Sequence, residues 1–158
     1  MQDDQQAIQP SYGQMAIIGW REYVALPELG ILEVKAKIDT GACSSALHAF
    51  DIETYEQNGK LMIRFKVHPY QRDAHRVAIA QAELVDQREV RNSGGQTQLR
   101  PVIQTMLELS SYAFPVELTL TNREAMGFRL LLGRQALRRR FLVDASRSFL
   151  HSSPKSTK

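Results

Sequence analysis

A single cysteine, Cys43, occurs in the 158 residues, so no disulfide can form within the chain. That fits a reducing compartment, and the cytoplasm is the expected location, with the periplasm left open. No stretch approaches the roughly 18 consecutive apolar residues of a membrane span, so no membrane partner is expected. The residues at the start show no basic patch followed by an apolar run, the pattern of a secretory leader. Two cofactor chemistries lack their usual signatures. There is no His-Glu-x-x-His, which would set two zinc ligands on one helical face. There is no Gly-x-x-x-x-Gly-Lys-Ser/Thr loop, and Gly94-Gly95 lacks the following lysine and helix that cradle a nucleotide phosphate. No cofactor and no metal are therefore expected. His68 and His75 flank Pro69-Tyr70, and they would bind a metal with Cys43 or His48 only if the fold converged them.

A large excess of one charge is also missing. The formal charge is +3, and its densest patch is Arg134, Arg138, Arg139 and Arg140. No aromatic residues interleave with those arginines, as single-strand binding would require. Cations near the end of a short helix, where the dipole favours them, account for the patch, so no nucleic-acid partner is expected.

What the chain does have is period-two alternation. Leu32, Val34, Ala36 and Ile38 alternate with Glu33, Lys35, Lys37 and Asp39. Leu61, Ile63, Phe65 and Val67 follow the same rule, as do Phe114, Val116, Leu118 and Leu120. Each is the pattern of a half-buried strand. Further strands are expected over Ala16 to Leu26, Val77 to Val90, Leu99 to Leu109 and Phe128 to Leu132. Helix is expected only over Arg134 to Arg140, with one turn over Ser44 to Phe50. Turn signals stand at Asn58-Gly59, Ser93-Gly94-Gly95 and Thr121-Asn122-Arg123. Many short strands and one short late helix predict an all-β fold, a closed or partly closed antiparallel barrel. The polar start (1–14) and the tail HSSPKSTK (151–158) are expected to be mobile, leaving one folded unit over 15–150.

One tetrapeptide points to chemistry. Asp39-Thr40-Gly41-Ala42 follows directly on the strand ending at Ile38. An acid at a strand end can project into a cleft. The threonine hydroxyl can fix the turn, the glycine permits close backbone approach, and the alanine keeps space open beside the acid. The same sequence also serves as an ordinary turn. Two features accompany it: a hairpin over Val90 to Val102 with Ser93, Gly94 and Gly95 at its tip, and Leu130-Leu131-Leu132-Gly133-Arg134 leading into the helix.

That order resembles the retropepsin-like aspartic proteases. The segments Gly19 to Glu22, Lys35 to Ala42, Ser45 to Ala49, Leu99 to Ile103, Leu118 to Arg123, Met126 to Arg129 and Leu131 to Arg134 resemble, more closely, one bacterial branch. Its members are labelled ATP-dependent zinc proteases and are often found beside ATP-grasp glutamate ligases of the ribosomal-modification type. The resemblance runs from about Ile17 to Leu150. It implies Asp39, Thr40 and Gly41 as the catalytic motif. It implies Ala42, Ser93, Gly94 and Gly95 as the substrate-binding surface, with the hairpin tip as a flap, and Gly133 and Arg134 as structural support. It further implies a peptide or protein substrate and an association with a glutamate ligase or its product.

Aspartic-protease chemistry needs two facing carboxylates, and this chain offers one motif. Asp144 is followed by Ala145-Ser146 and lacks the glycine. A two-lobed enzyme is thereby excluded, and a homodimer with Asp39 beside its own mate is expected. Viral relatives follow the motif with an acid that pairs with the later arginine. Here Cys43, Ser44 and Ser45 stand there, so Arg134 must find another partner. Three rival readings remain at this stage: a non-catalytic barrel that binds a peptide or partner, a zinc-dependent hydrolase, and a Cys43 nucleophile beside His48.

Overall fold

The computed structural model describes residues 12–70, 75–91, 94–122 and 127–151. In chain order the strands are β1 (Ala16–Gly19), β2 (Arg21–Leu26), β3 (Ile31–Ile38), β4 (Ser45–His48), β5 (Phe50–Gln57) and β6 (Lys60–Val67). They continue with β7 (Ala78–Arg91), β8 (Thr97–Leu109), β9 (Tyr112–Thr121), β10 (Leu130–Leu132), the helix α1 (Arg134–Leu137) and β11 (Phe141–Asp144). Ser93, Arg123 and Met126 lie outside the described residues, as do 1–11 and 152–158 of the two expected mobile ends.

Six strands close a barrel in the order β2-β3-β10-β4-β9-β8, and Ala25 opposite Glu108 seals β8 back onto β2. From β8 the sheet runs on outward through β7, β6 and β5. The barrel is filled by alternate side chains. Val34, Ala36, Leu47, Leu118, Leu120, Leu130 and Leu132 are all buried. Ile63 and Phe65 extend that core beneath the outer sheet. Burying one such large side chain contributes about 1.5–3 kcal/mol, so the pattern outweighs any single hydrogen bond.

The barrel is all-β as expected, but it is mixed rather than antiparallel. β10 runs parallel to β3, with Leu132 opposite Ile38, and β4 runs parallel to β9. β10 lies between β3 and β4, which are joined only by residues 39–44. A parallel neighbour must arrive through a long connection, so no local pattern reveals it.

Four local expectations are corrected. The stretch Ser44 to Phe50 forms strand β4, not a helical turn, with Ser45, Leu47 and Ala49 buried in alternation. Ala16 to Leu26 breaks at Trp20 into two strands belonging to different sheets. The helix stops at Leu137, because Arg138 is extended and Arg139 adopts a left-handed φ of 68°. Phe141 then starts β11, which pairs in parallel with β1. Finally, Leu32 is 73% exposed while Glu33 is buried. The pairing of β2 with β3 slips between Val24 and Leu26, and the extra residue in β3 reverses the facing of its first turn of alternation.

The end of the described chain is strapped onto β2. Trp20 N–H donates to Arg147 O at 2.9 Å, and Phe149 N–H donates to Arg21 O at 3.0 Å. The fully buried Glu22 carboxylate accepts from the amides of Gly19 (2.7 Å), Leu150 (2.9 Å) and His151 (3.3 Å). A buried carboxylate is tolerable only with such donors.

Candidate active site

β3 delivers Asp39 to the mouth of the barrel. Its amide continues the ladder, donating to Leu132 O at 2.8 Å. The chain then turns back, with Ala42 N–H donating to Asp39 O at 3.2 Å. Gly41 N–H donates to Asp39 Oδ1 at 2.9 Å and so fixes the carboxylate's rotamer. Asp39 is half-buried, whereas Thr40 and Gly41 are exposed. The Thr40 carbonyl ties the turn, accepting from Arg134 Nη1 at 3.0 Å. That is the partner of Arg134 in place of the viral acid.

Gly133 and Arg134 lie against the loop that carries Asp39. The first amides of a helix have no partner inside it. In α1 those of Arg134 and Gln135 donate to the carbonyls of Ala42 (2.8 Å) and Cys43 (3.0 Å). The helix start is thereby bolted to the Asp39 loop. Gly133 makes this approach possible. A Cβ there would stand 2.4 Å from Ser44 O and 2.8 Å from Ala42 O. Its amide donates to Ser45 Oγ at 3.0 Å. Ser45 is a residue the sequence reading left out, since a serine opening a strand carries no signal of its own.

At the far hairpin β7 and β8 pair out to Arg91 opposite Thr97, and Gly95 has a φ of 84°, which favours glycine. Ser93 of the expected flap lies outside the described residues. Against β4, β9 and β10 lies a cavity of about 260 Å³. Ser44 and Leu131 line it together with Val90 and Arg100 from the hairpin strands, and Asp39 does not. His48, Thr119, Thr121 and Arg129 line the rest of its polar surface. A larger cavity, about 870 Å³, opens between Tyr23, Leu32, Glu108 and Phe149, and Asp39 does not line it.

The other candidates disperse. Asp144 serves its own turn, accepting from Ser146 N–H (2.9 Å) and Ser146 Oγ–H (2.6 Å). Those bonds hold its carboxyl below the usual aspartate range, with Arg147 adding attraction. His68 stacks on Phe50 at 4.5 Å, while His48 lines the cavity and Cys43 is exposed. Among the described residues no three His, Cys, Asp or Glu side chains gather as a metal would need. The zinc in the branch's label therefore has no fitting ligand set there. The arginine patch also divides. Arg134 ties the Asp39 loop, and Arg140 lies over Phe114 at 4.3 Å.

Comparison with known proteins decides the family. The model of the RimB-like family, described as retropepsin-like aspartic endopeptidase RimB, matches residues 17–154. This chain belongs to the RimB-like family. Among curated proteins, "Probable alpha-L-glutamate ligase" of Parasynechococcus marenigrum is 46% identical over 128 residues. The protein of that name from Desulfotalea psychrophila is 44% identical over 128 residues. The match covers 81% of this chain in both cases and only 28% of either relative. The crystal structure of Lpg0085 from Legionella pneumophila, a protein of unknown function, superposes with a TM-score of 0.74. It is 30% identical, and the match covers 87% of this chain and 98% of that one.

Proposed function

We propose that this RimB-like chain is an aspartic endopeptidase that acts as a homodimer. The observation that carries the reading is the state of Asp39. Its backbone is pinned to Leu132, its Oδ1 is held by Gly41, and its loop is fixed by Arg134, yet the carboxyl remains half-open at the barrel mouth. Such rigidity around an accessible acid suits a catalytic group better than a plain turn.

In the proposed dimer a two-fold axis sets Asp39 beside its mate. Two carboxyls about 3 Å apart cannot both ionise, so they share one proton. The ionised one takes a proton from a water held between them. The protonated one donates to the scissile carbonyl as the hydroxide adds, and a proton then passes to the leaving amine. The pair titrates as a unit. The hairpin tip at Gly94-Gly95 closes over the extended peptide and excludes bulk water.

The substrate we propose is a peptide bearing added glutamates. Its support is the company the domain keeps, since relatives named as glutamate ligases contain a region 44–46% identical to this chain. A peptide-library assay at acid and neutral pH tests the reading. Cleavage by the parent and none by a folded Asp39→Asn variant is the expected result. Equal cleavage by both discards the aspartic mechanism. No cleavage by either leaves a peptide-binding barrel.

A further inference from the structure

The cavity of about 870 Å³ sits on the seam where β8 closes the barrel onto β2, and two local irregularities meet in it. The first is the bulge in β3. Val24 pairs with Val34 and Leu26 with Ile31, so Ala25 alone stands against both Leu32 and Glu33. A bulge re-aims side chains. Here it turns Leu32 out, 73% exposed, while Glu33 is buried. Ala25, Leu32 and Glu33 all line the cavity, and so does Glu108, which pairs with Ala25 across the seam. The second irregularity is Phe149. Its φ of 56° is left-handed, a conformation that bulky side chains rarely adopt. Its amide is held by Arg21 O at 3.0 Å, and its ring stacks on Tyr23 at 4.9 Å, with both residues lining the cavity. Backbone strain of this kind gathers at ligand clamps.

The charge here is one-sided. The whole chain carries +3, yet Glu33 and Glu108 line this cavity and no lysine or arginine is among its described lining. Glu33 is already engaged within the fold, so the carboxylate open to a ligand is that of the exposed Glu108. Arg21 lies over the Phe149 ring at 4.9 Å and donates to Ser148 Oγ at 3.0 Å, outside the lining. His151 lines the cavity, and its ring meets Tyr112 edge-on at 6.3 Å.

We propose that this cavity docks a segment of a partner protein that carries a lysine or arginine next to an aliphatic or aromatic residue. The apolar residue packs on Leu32, Leu150 and the wall made by Tyr23 and Phe149. The cation meets Glu108 with the aromatic rings beside it. A volume of about 870 Å³ lies within the roughly 300–1,000 Å³ of whole-ligand sites, so it takes several residues rather than one side chain. Asp39 does not line the cavity, so docking there is independent of peptidase activity.

A displayed library of random hexapeptides, selected on the full chain, tests this. Enriched sequences should set Lys or Arg beside Leu, Ile, Phe or Tyr. Synthetic copies of them, measured by calorimetry, should bind Leu32→Ser and Glu108→Gln about three- to tenfold more weakly than the parent, with circular dichroism and melting unchanged. Replacing the selected cation by glutamine should cost a similar factor on the parent and about twofold or less on Glu108→Gln. Asp39→Asn should bind them like the parent, and a loss there would place them at the barrel mouth and overturn the site. Enrichment of acidic or neutral sequences, no enrichment, or binding indifferent to both Leu32→Ser and Glu108→Gln also overturns it. So does free agmatine binding as tightly as the peptides, which would make the ligand a small amine. The rival occupant is the chain's own segment 152–158, which carries Lys155 and Lys158. If the full chain with Lys155→Gln and Lys158→Gln bound the selected peptides more than about tenfold more tightly, the cavity would belong to that segment and the partner assignment would fall.

Discussion

Replacing Gly133 by alanine tests how the Asp39 loop is held. The added methyl would lie 2.4 Å from Ser44 O, about 0.6 Å inside the 3.0 Å that real Cβ contacts respect, and 2.8 Å from Ala42 O. Both obstacles are backbone, so no side chain can swing away. Either α1 or residues 42–44 must move. Overpacking of this kind costs about 1–3 kcal/mol. The displacement also stretches the bonds from Gly133 to Ser45, Arg134 to Ala42 and Gln135 to Cys43. Each of these contributes about 0.5–1.5 kcal/mol. Allowing for partial relaxation, the loss is about 2–4 kcal/mol, which for a chain of this size lowers Tm by about 5–15 °C. Thermal melting followed by circular dichroism reads it directly. Gly13→Ala is the control, because nothing lies within 4 Å of its Cβ position. A Gly133→Ala protein that melts within about 2 °C of the parent would refute the close approach and the role given to Gly133.

Three further outcomes are expected. Glu22→Ala removes the acceptor of three backbone amides and should cost about 2–4 kcal/mol by urea denaturation, with faster amide exchange over residues 149–151; an unchanged midpoint would dismiss the strap. Arg134→Met loses the exposed bond to Thr40 O, so stability should change by less than about 1 kcal/mol while cleavage drops about tenfold; a large stability loss would mean the residue acts structurally. The Asp86 carboxyl is held below its ordinary 3.8 chiefly by the hydrogen bond from Arg88. Its depressed folded-state pKa gives stability that is present above 3.8 and lost as pH falls through the lower folded value. Arg88→Met should raise the Asp86 midpoint in an NMR titration, and an unmoved midpoint would contradict the pairing.

Most of the strands were legible because one face of each is dry. Ile63, Phe65 and Val67, and likewise Phe114, Val116 and Leu118, keep the alternation that burial imposes. Asn58 and Gly59 take φ values of 54° and 79°, the left-handed pair their types announce in a tight hairpin. The hairpin between β8 and β9 gave no such notice, because its left-handed residue is Ser110 (φ 56°). β4 was illegible for another reason, and so was the parallel place of β10, whose strand was expected within Phe128 to Leu132. Both are short, and their place is decided by partners distant in sequence, Leu118 and Ile38 among them. Gly133 and Arg134 were singled out through the order the family resemblance carries, and the structure sets both against the Asp39 loop, about ninety residues away in sequence. The charged cavity could not be read that way, since Arg100, Arg129 and His48 come from three strands or their approaches and are joined only by register.

The central claim is that two copies of Asp39 form one catalytic centre. The most direct measurement is a subunit-mixing titration at constant total protein. Parent and Asp39→Asn chains are allowed to exchange, and cleavage is read against the parent fraction. The account predicts activity falling as the square of that fraction, because a mixed pair carries a single carboxylate. A linear fall, each chain cutting alone, would contradict it.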